Sequence, residues 1–304
     1  MRVTLGMMSD NLLLGLAQGS ERLLEAQNKV SSGKRISRPS DDVPGTGRSM
    51  MLRTALSSIE QYNRNLDVAK NQLSVTSSAL DSAVKALQDV RNLAVSAVNA
   101  TTTPAARASI AIQLDRLSSQ LAGIANTQLA GRYIFSGSKS DTATVAAQSG
   151  QPNPYSYQGD SNQFVIEVGP GVSITANVTG DMVFNFGSAA VPGTSDVFTM
   201  IESLKQKVLS GDADAVSSSI AEIDANLNNV IAIESQVGGR VARLDSNEEA
   251  LQNSKLAFSD LLSKTEDADL AEAIIELQTR QNVYQAALLV ASKISNVSLV
   301  DYMR

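Results

Sequence analysis

Ser31 and Ser32 stand just before Lys34, an arrangement in which a lysine amine could deprotonate a serine for nucleophilic attack. The same stretch also reads as a polar helix end, with Lys34 and Arg35 at the negative pole of the helix dipole. That second reading needs nothing further from the chain, and it is adopted. Asp41 and Asp42 could serve as a general acid and base, but adjacent carboxylates ahead of an apolar run fit N-terminal dipole partners of the next helix. Gly45-Thr46-Gly47 opens like a dinucleotide fingerprint, yet Met50 takes the third glycine's place and no strand precedes it. Asp212 and Asp214 open like a calcium loop. Val216, Ser217 and Ile223 then stand where a ligand, a glycine and a glutamate are required, so the aspartates read as a helix cap. No Gly-Lys-Ser/Thr phosphate loop occurs. Glycosylation sequons at Asn99, Asn177 and Asn296 are matches too short to assign anything.

The chain lacks cysteine, histidine and tryptophan altogether. Thiol nucleophiles, disulfides, the usual structural zinc sites and imidazole bases are therefore excluded. No cofactor or metal is expected, and a structural protein is favoured over an enzyme. The 304 residues carry a net charge of −6 with no basic block, so no nucleic-acid footprint is present. No window of roughly 18 uninterrupted apolar residues suggests a membrane span. The start, Met1 to Gly6, meets Ser9, Asp10 and Asn11 too early for a cleavable secretory signal. Absence of disulfides suits a cytosolic protein, and equally one exported unfolded through a narrow channel.

The elements are dominated by heptads. Leu52, Ile59, Leu66, Leu73, Leu80, Leu87 and Ala94 repeat every seven residues, with Ala55, Tyr62, Ala69, Thr76, Ala83, Val90 and Ala97 three residues on. A seam of period 3.5 must face another helix. The pattern predicts one helix from about Arg48 to Val98, roughly 75 Å long at 1.5 Å per residue, and hence an elongated rod. A second 4–3 seam runs through Val216, Ile220, Ile223, Leu227, Val230, Glu234, Val237, Val241, Leu244, Glu248, Leu251, Lys255, Phe258 and Leu262, with three charged members. Gly238-Gly239 predicts a bend or pause within it. Between the seams, Thr103 and Pro104 open a helix bearing Ile110, Leu114, Leu117, Leu121 and Ile124, and another spans Asp196 to Val208 before Ser210-Gly211. From Gly131 to Thr194 most of the aromatics gather. Strand-like runs there cover Phe164–Val168, Val172–Val178 and Met182–Phe186, while 138–163 reads as a long surface loop.

Each end carries a thin apolar strip. Leu5, Leu12, Leu16, Leu23, Ala26 and Val30 form one, and Leu270, Ile274, Leu277, Tyr284, Leu288 and Ala291 the other. Either the terminal helices pair with each other, or they pair with neighbouring subunits; periodicity leaves both open.

Several runs resemble the bacterial flagellin family: Ser31-Ser32-Gly33-Lys34-Arg35-Ile36 followed by Pro39-Ser40-Asp41-Asp42, Leu87 to Val95, Val237-Gly238-Gly239-Arg240, and Glu266 to Ala273. Ala125-Asn126-Thr127, Gly131 to Gly137, Tyr157-Gln158-Gly159-Asp160, Asn177 to Phe184 and Ser298 to Met303 are similar to the hook–filament junction branch of that family. Val43 intervenes before Pro44 where the family pattern has proline directly after the aspartate pair. The resemblance implies a mainly α protein with a small inserted β-rich module. Residues 1–44 with 265–304 would be terminal coiled-coil assembly segments, 45–137 with 195–264 a helical domain, and 138–194 the outer module. It also implies a non-enzymatic adaptor of the extracellular flagellum, exported by the type III route. Its partners would be hook-associated protein 1, flagellin, further copies of itself and a cytoplasmic export chaperone. A filament flagellin and, more distantly, a carboxylate-based hydrolase are the alternatives. Asp89 replaces the arginine through which flagellins engage the vertebrate innate receptor, so that activity is not expected.

Overall fold

The computed structural model describes residues 5–98, 103–148, 153–187 and 194–302; side chains of Leu5, Gly6, Met8, Ser9 and 294–302 are outside the description. The sequon at Asn99 thus lies outside the described residues, as does the side chain of Asn296. In chain order the elements are α1 (Leu5–Ser32), α2 (Val43–Val98), α3 (Pro104–Ala125), β1 (Gln128–Leu129) and β2 (Arg132–Tyr133). They continue with β3 (Val145–Ala147), β4 (Tyr155–Tyr157), β5 (Val165–Gly169), β6 (Val172–Thr175), α4 (Gly180–Phe184), α5 (Val197–Ser210), α6 (Ala213–Glu266) and α7 (Leu270–Tyr302). They form two compact units, residues 1–58 with 253–304 and residues 59–252. The fold is mainly α, with the strands confined to the middle of the chain.

In the unit of residues 59–252 the heptad pattern becomes the core. Leu66, Leu73, Leu80, Leu87 and Ala94 of α2 are buried together with Ala69, Thr76, Ala83, Val90 and Ala97. On α6, Val216, Ile223, Val230, Val237, Leu244 and Leu251 are buried at intervals of seven. Thr76, the one polar member of the α2 seam, donates its hydroxyl to the Gln72 carbonyl at 2.8 Å and so enters the core satisfied. Ion pairs tie α2 to α6: Lys70 to Asp245 (2.6 Å) and Glu248 (2.5 Å), and Arg91 Nε to Asp224 at 2.6 Å.

The shorter helices begin and end where their capping residues direct. Thr103 accepts a hydrogen bond from Ala106 N with Pro104 in the first turn, and Asp196 caps α5 by accepting from Phe198 N and Thr199 N. Gly211, at φ 77°, terminates α5, and Asp212 then accepts from Ala215 N at 3.0 Å. The two aspartates at 212 and 214 are thus helix-start residues, as expected.

Three strand readings need comment. β5 and β6 form an antiparallel hairpin, near the expected runs. Met182–Phe186 was expected to be a strand, but α4 occupies most of it. A short apolar run does not distinguish a buried strand from a buried helical turn. Here Val183 and Phe184 must both reach the core, and Asn185 in the left-handed region (φ 64°) ends the turn. The expected loop at 138–163 contains the β3–β4 hairpin, whose Val145 is buried. The aromatics join these pieces: Phe135 meets Phe184 edge-on at 5.8 Å, Tyr157 stacks on Phe186 at 5.6 Å, and Phe198 contacts Tyr155, Phe184 and Phe186.

Four of the junction-like motifs, Ala125–Thr127, Gly131–Gly137, Tyr157–Asp160 and Asn177–Phe184, converge on one small node; the side chains of Ser298 to Met303 lie outside the description. Asn126 brackets β3, accepting from Val145 N and donating to Val145 O, both at 2.9 Å. Tyr157 Oη lies 2.8 Å from the Asp160 carbonyl and 3.2 Å from that of Phe135, and burial pushes its phenol pKa upward. A Cβ at Gly159 or Gly180 would press on the Tyr157 ring, and Gly137 adopts φ 68° against Asp160.

The helix α6 passes without interruption through Gly238 and Gly239, where a bend or pause was expected. A Cβ added at either position would meet nothing within 4 Å. Since the folded chain makes no use of glycine there, Gly238→Ala is expected to stabilise it by up to about 1 kcal/mol. A denaturant midpoint equal to or below that of the parent chain would contradict this.

Candidate functional site

The unit of residues 1–58 with 253–304 brings the two chain ends together. α1 and α7 lie antiparallel: Lys29 pairs with Glu276 at 3.4 Å, and a Cβ at Gly19 would touch the Tyr284 ring at 3.4 Å. Leu12, Leu16, Leu23 and Val30 of α1 are half-buried and Ala26 is buried; on α7, Ala273 is buried and Leu277 and Tyr284 are half-buried. Small residues at Gly19, Ala26 and Ala273 let the helices approach closely. Leu5 lies on α1, and its side chain is outside the description.

The strip predicted on α7 therefore divides. Leu277 and Tyr284 lie on the half-buried side, whereas Leu270, Ile274 and Leu288 remain exposed. More apolar side chains stay in solvent beside them: Leu13, Leu14 and Leu24 on α1, and Ile275, Val283, Leu289 and Val290 on α7, with Ile275 66% exposed. These outer residues were missed from the sequence because the 4–3 search selects one stripe per helix. The signal was the consecutive runs Leu12-Leu13-Leu14 and Leu288-Leu289-Val290, which leave no polar face on that turn of the helix. This much contiguous apolar surface makes the α1–α7 pair a candidate contact face.

The link between α1 and α2 is fastened to the link between α6 and α7. Gly33, in the left-handed region at φ 67°, ends α1. Its carbonyl accepts from Ala268 N (2.9 Å), while Arg35 N and the Arg35 guanidinium donate to the carbonyls of Glu266 and Thr265, both at 2.7 Å. Glu266 is nearly buried and binds both Arg53 and Lys34, the latter at 3.2 Å. Arg53's hydrogen bond, opposed by burial and reinforced by Lys34, holds the Glu266 carboxyl below the usual glutamate range.

Lys34 Nζ is thus committed to Glu266; only its backbone N reaches a serine, Ser32 Oγ at 3.2 Å. No serine–lysine dyad forms. Asp41 accepts from Arg38 N (2.7 Å) and Ser37 N (3.0 Å), and Asp42 accepts from Gly45 N (2.9 Å) and the Arg35 guanidinium (3.1 Å). These bonds, the backbone ones first, keep both carboxyls below their ordinary value. Asp42 caps α2 as expected, with Val43 and Pro44 in its first turn. Gly45 is required by space, since a Cβ would come within 2.7 Å of the buried Ile36 side chain. Among the described residues no group of three or more histidine, cysteine, aspartate or glutamate side chains is placed to hold a metal ion, and no helix is long and apolar enough to cross a membrane.

Residues 3–140 match the bacterial flagellin N-terminal helical region, and residues 220–303 match the flagellin C-terminal helical region. The chain belongs to the bacterial flagellin family. This flagellin-family chain is a structural protein of the flagellum. It is 27% identical over 317 residues to flagellar hook-associated protein 3 of Escherichia coli, covering 98% of each chain. It is also 26% identical to the flagellar filament 41 kDa core protein of Borreliella burgdorferi, covering 90% of this chain and 91% of that one. Its fold is shared with the solved flagellar hook-associated protein 3 of Legionella pneumophila, at TM-score 0.63 and 19% identity over 71% of this chain and 98% of that one.

Because Glu266, Asp41 and Asp42 all titrate below their ordinary values, protonation favours the opened state. The stability they contribute is complete above the unfolded-state carboxylate range and is lost as pH falls through the depressed folded values. The joint between the helix links should therefore loosen below roughly pH 4.3. Amide exchange at residues 33–36 and 266–269 would report it, and Glu266→Gln should flatten the response. A Glu266→Gln variant with unchanged acid sensitivity would remove Glu266 from this role.

Proposed function

We propose that this flagellin-family chain is the adaptor of the hook–filament junction, joining hook-associated protein 1 to the flagellin filament. The observation that carries the reading is end-to-end similarity to hook-associated protein 3, in a chain whose paired terminal helices still expose apolar faces. In this reading residues 1–44 and 265–304 are the assembly segments, and 138–194 form the outer module. Leu5, Leu12, Leu16, Leu23, Val30, Leu270, Ile274, Leu277, Tyr284 and Leu288 form the assembly interface. The inner members set the α1–α7 pair, and the outer ones are covered by neighbouring copies in a ring. Each leucine so covered contributes about 1.5–3 kcal/mol, enough in sum to drive assembly of a pair that stays soluble alone. The chain reaches the extracellular flagellum through the type III apparatus, after a cytoplasmic chaperone has covered its C-terminal helix.

A second reading, a filament flagellin, is favoured by the comparable identity to the Borreliella filament protein. Seeded assembly separates the two. Added to hooks that already carry hook-associated protein 1, an adaptor forms a short cap that then permits flagellin growth. Long filaments grown from this chain alone would make it a flagellin.

Leu288 is 45% exposed on α7, so Leu288→Asp should leave the unit of residues 59–252 folded and abolish assembly. Circular dichroism and motility of cells carrying the change provide the check. Normal swimming would remove Leu288 from the interface.

A further inference from the structure

Beside its apolar heptad face, α6 carries a stripe of polar side chains aimed at main-chain groups of residues 167–195. Asn247 Nδ2 donates to the Val168 carbonyl at 2.7 Å, and Asn229 Nδ2 to that of Met182 at 2.8 Å. Glu222 accepts from Ser195 N at 2.8 Å. From α2, Asn65 Nδ2 donates to the Glu167 carbonyl at 2.7 Å. Arg240 lies in the middle of the stripe. Its Nη1 donates to the Asn177 carbonyl at 2.9 Å and, more weakly, to that of Thr175 at 3.4 Å.

The surroundings of Arg240 are unusual for a cation. Its side chain borders a small cavity lined by Gln163, Asn177, Thr179, Met182, Ile233 and Gln236, none of them acidic. Removal from water pulls its pKa down, with no carboxylate to offset the effect. A guanidinium brought to such a place is held by carbonyl oxygens, and its planar fork suits two of them. Asn177 extends the grip. Its side chain accepts from Phe164 N at 2.7 Å and donates to the Asn162 carbonyl at 3.0 Å, closing the open end of the β5–β6 hairpin beyond its last paired residues.

We propose that Arg240 is the positioning residue of the β5–β6 hairpin, a clamp that fixes the hairpin on α6 through its main chain, with Asn247 and Asn65 fixing the other end. Arg240, Asn247 and Asn65 all read carbonyls, so their grip does not depend on the exposed Phe164 and Val165, while Ile166, Val168 and Ile174 are buried beneath and Tyr62 Oη donates weakly to the Glu167 carboxylate at 3.4 Å. The clamp is a property of the folded single chain and goes beyond the junction reading.

Hydrogen exchange by mass spectrometry on the purified full-length chain tests it. Arg240→Met keeps the bulk and removes the donors. Exchange should rise on the order of 10- to 100-fold at residues 163–177, while α2 between Leu66 and Val90 keeps its protection. Arg240→Lys restores a cation able to reach one carbonyl, and should recover part of the loss. Asn247→Ala should raise exchange at the Val165–Gly169 end without disturbing α2, and carries the test if Arg240→Met does not fold. Parent-like exchange at 163–177 in Arg240→Met would overturn the proposal. So would parallel loss of hairpin and α2 protection with Arg240→Lys no better than Arg240→Met. Parent-like exchange in Asn247→Ala would remove the second anchor and overturn the two-ended clamp.

Discussion

A helix that repeats apolar residues every seven positions can bury its seam only against another helix that does the same. In the unit of residues 59–252, the seam from Leu66 to Ala97 on α2 and that from Val216 to Leu251 on α6 are both buried, and ion pairs from Lys70 and Arg91 join the two helices. Everything between them in sequence has to fit within the excursion that separates the two seams: α3, the three hairpins, α4 and α5. In the other unit, α1 lies antiparallel to α7, with Lys29 paired to Glu276.

The ion pairs that join α2 to α6 divide by sign. α2 supplies the cations Lys70 and Arg91, and α6 supplies Asp245, Glu248 and Asp224; in the other unit, Arg53 of α2 again meets Glu266 of α6. Such pairs at partly exposed positions contribute little stability each. Their value is in specificity. Sliding one helix along the other would break these pairs.

Much of this was legible in residue spacing. The seven-residue repeats predicted Leu66 to Ala97 on α2 and every seventh residue from Val216 to Leu251 on α6, whereas the other half of the expected α6 seam (Ile220, Leu227, Glu234, Val241) is only half-buried, with Ser219, Asn226 and Ile233 buried in its place. Thr103, Asp196, Gly211 and Asp212 marked helix ends by their own hydrogen-bonding chemistry. What spacing failed to reveal has physical causes. Val183 and Phe184 bury equally well from a strand or from one helical turn, and only the left-handed Asn185 decides between them. The outer residues Leu13, Leu14, Ile275, Leu289 and Val290 escaped because a helix apolar on two sides has no single stripe to find. The polar stripe of α6, Asn226, Asn229, Gln236, Arg240 and Asn247, stands beside its apolar seam at intervals of three, seven, four and seven. Periodicity searches discard polar positions as solvent-facing, and so the docking face of the central module went unread.

Gly137, Gly159 and Gly180 surround Tyr157 and Asp160, and Asp160 ties back to Ser138, accepting from its backbone N at 2.8 Å. Residues 138 and 160 are thus stapled together at the base of the segment between them. Once the two ends of a loop are fixed in this way, its closure entropy grows only with the logarithm of its length, about 0.6 kcal/mol for each doubling. Within this segment the β3–β4 hairpin is itself packed, with Val145 held by Asn126 and Tyr155 against Phe198, so only chain added or removed between the two strands leaves the helices almost unaware of the change. The connection between β3 and β4 is where this architecture can lengthen, shorten and diversify, while the glycines beneath it stay constrained by the ring they enclose.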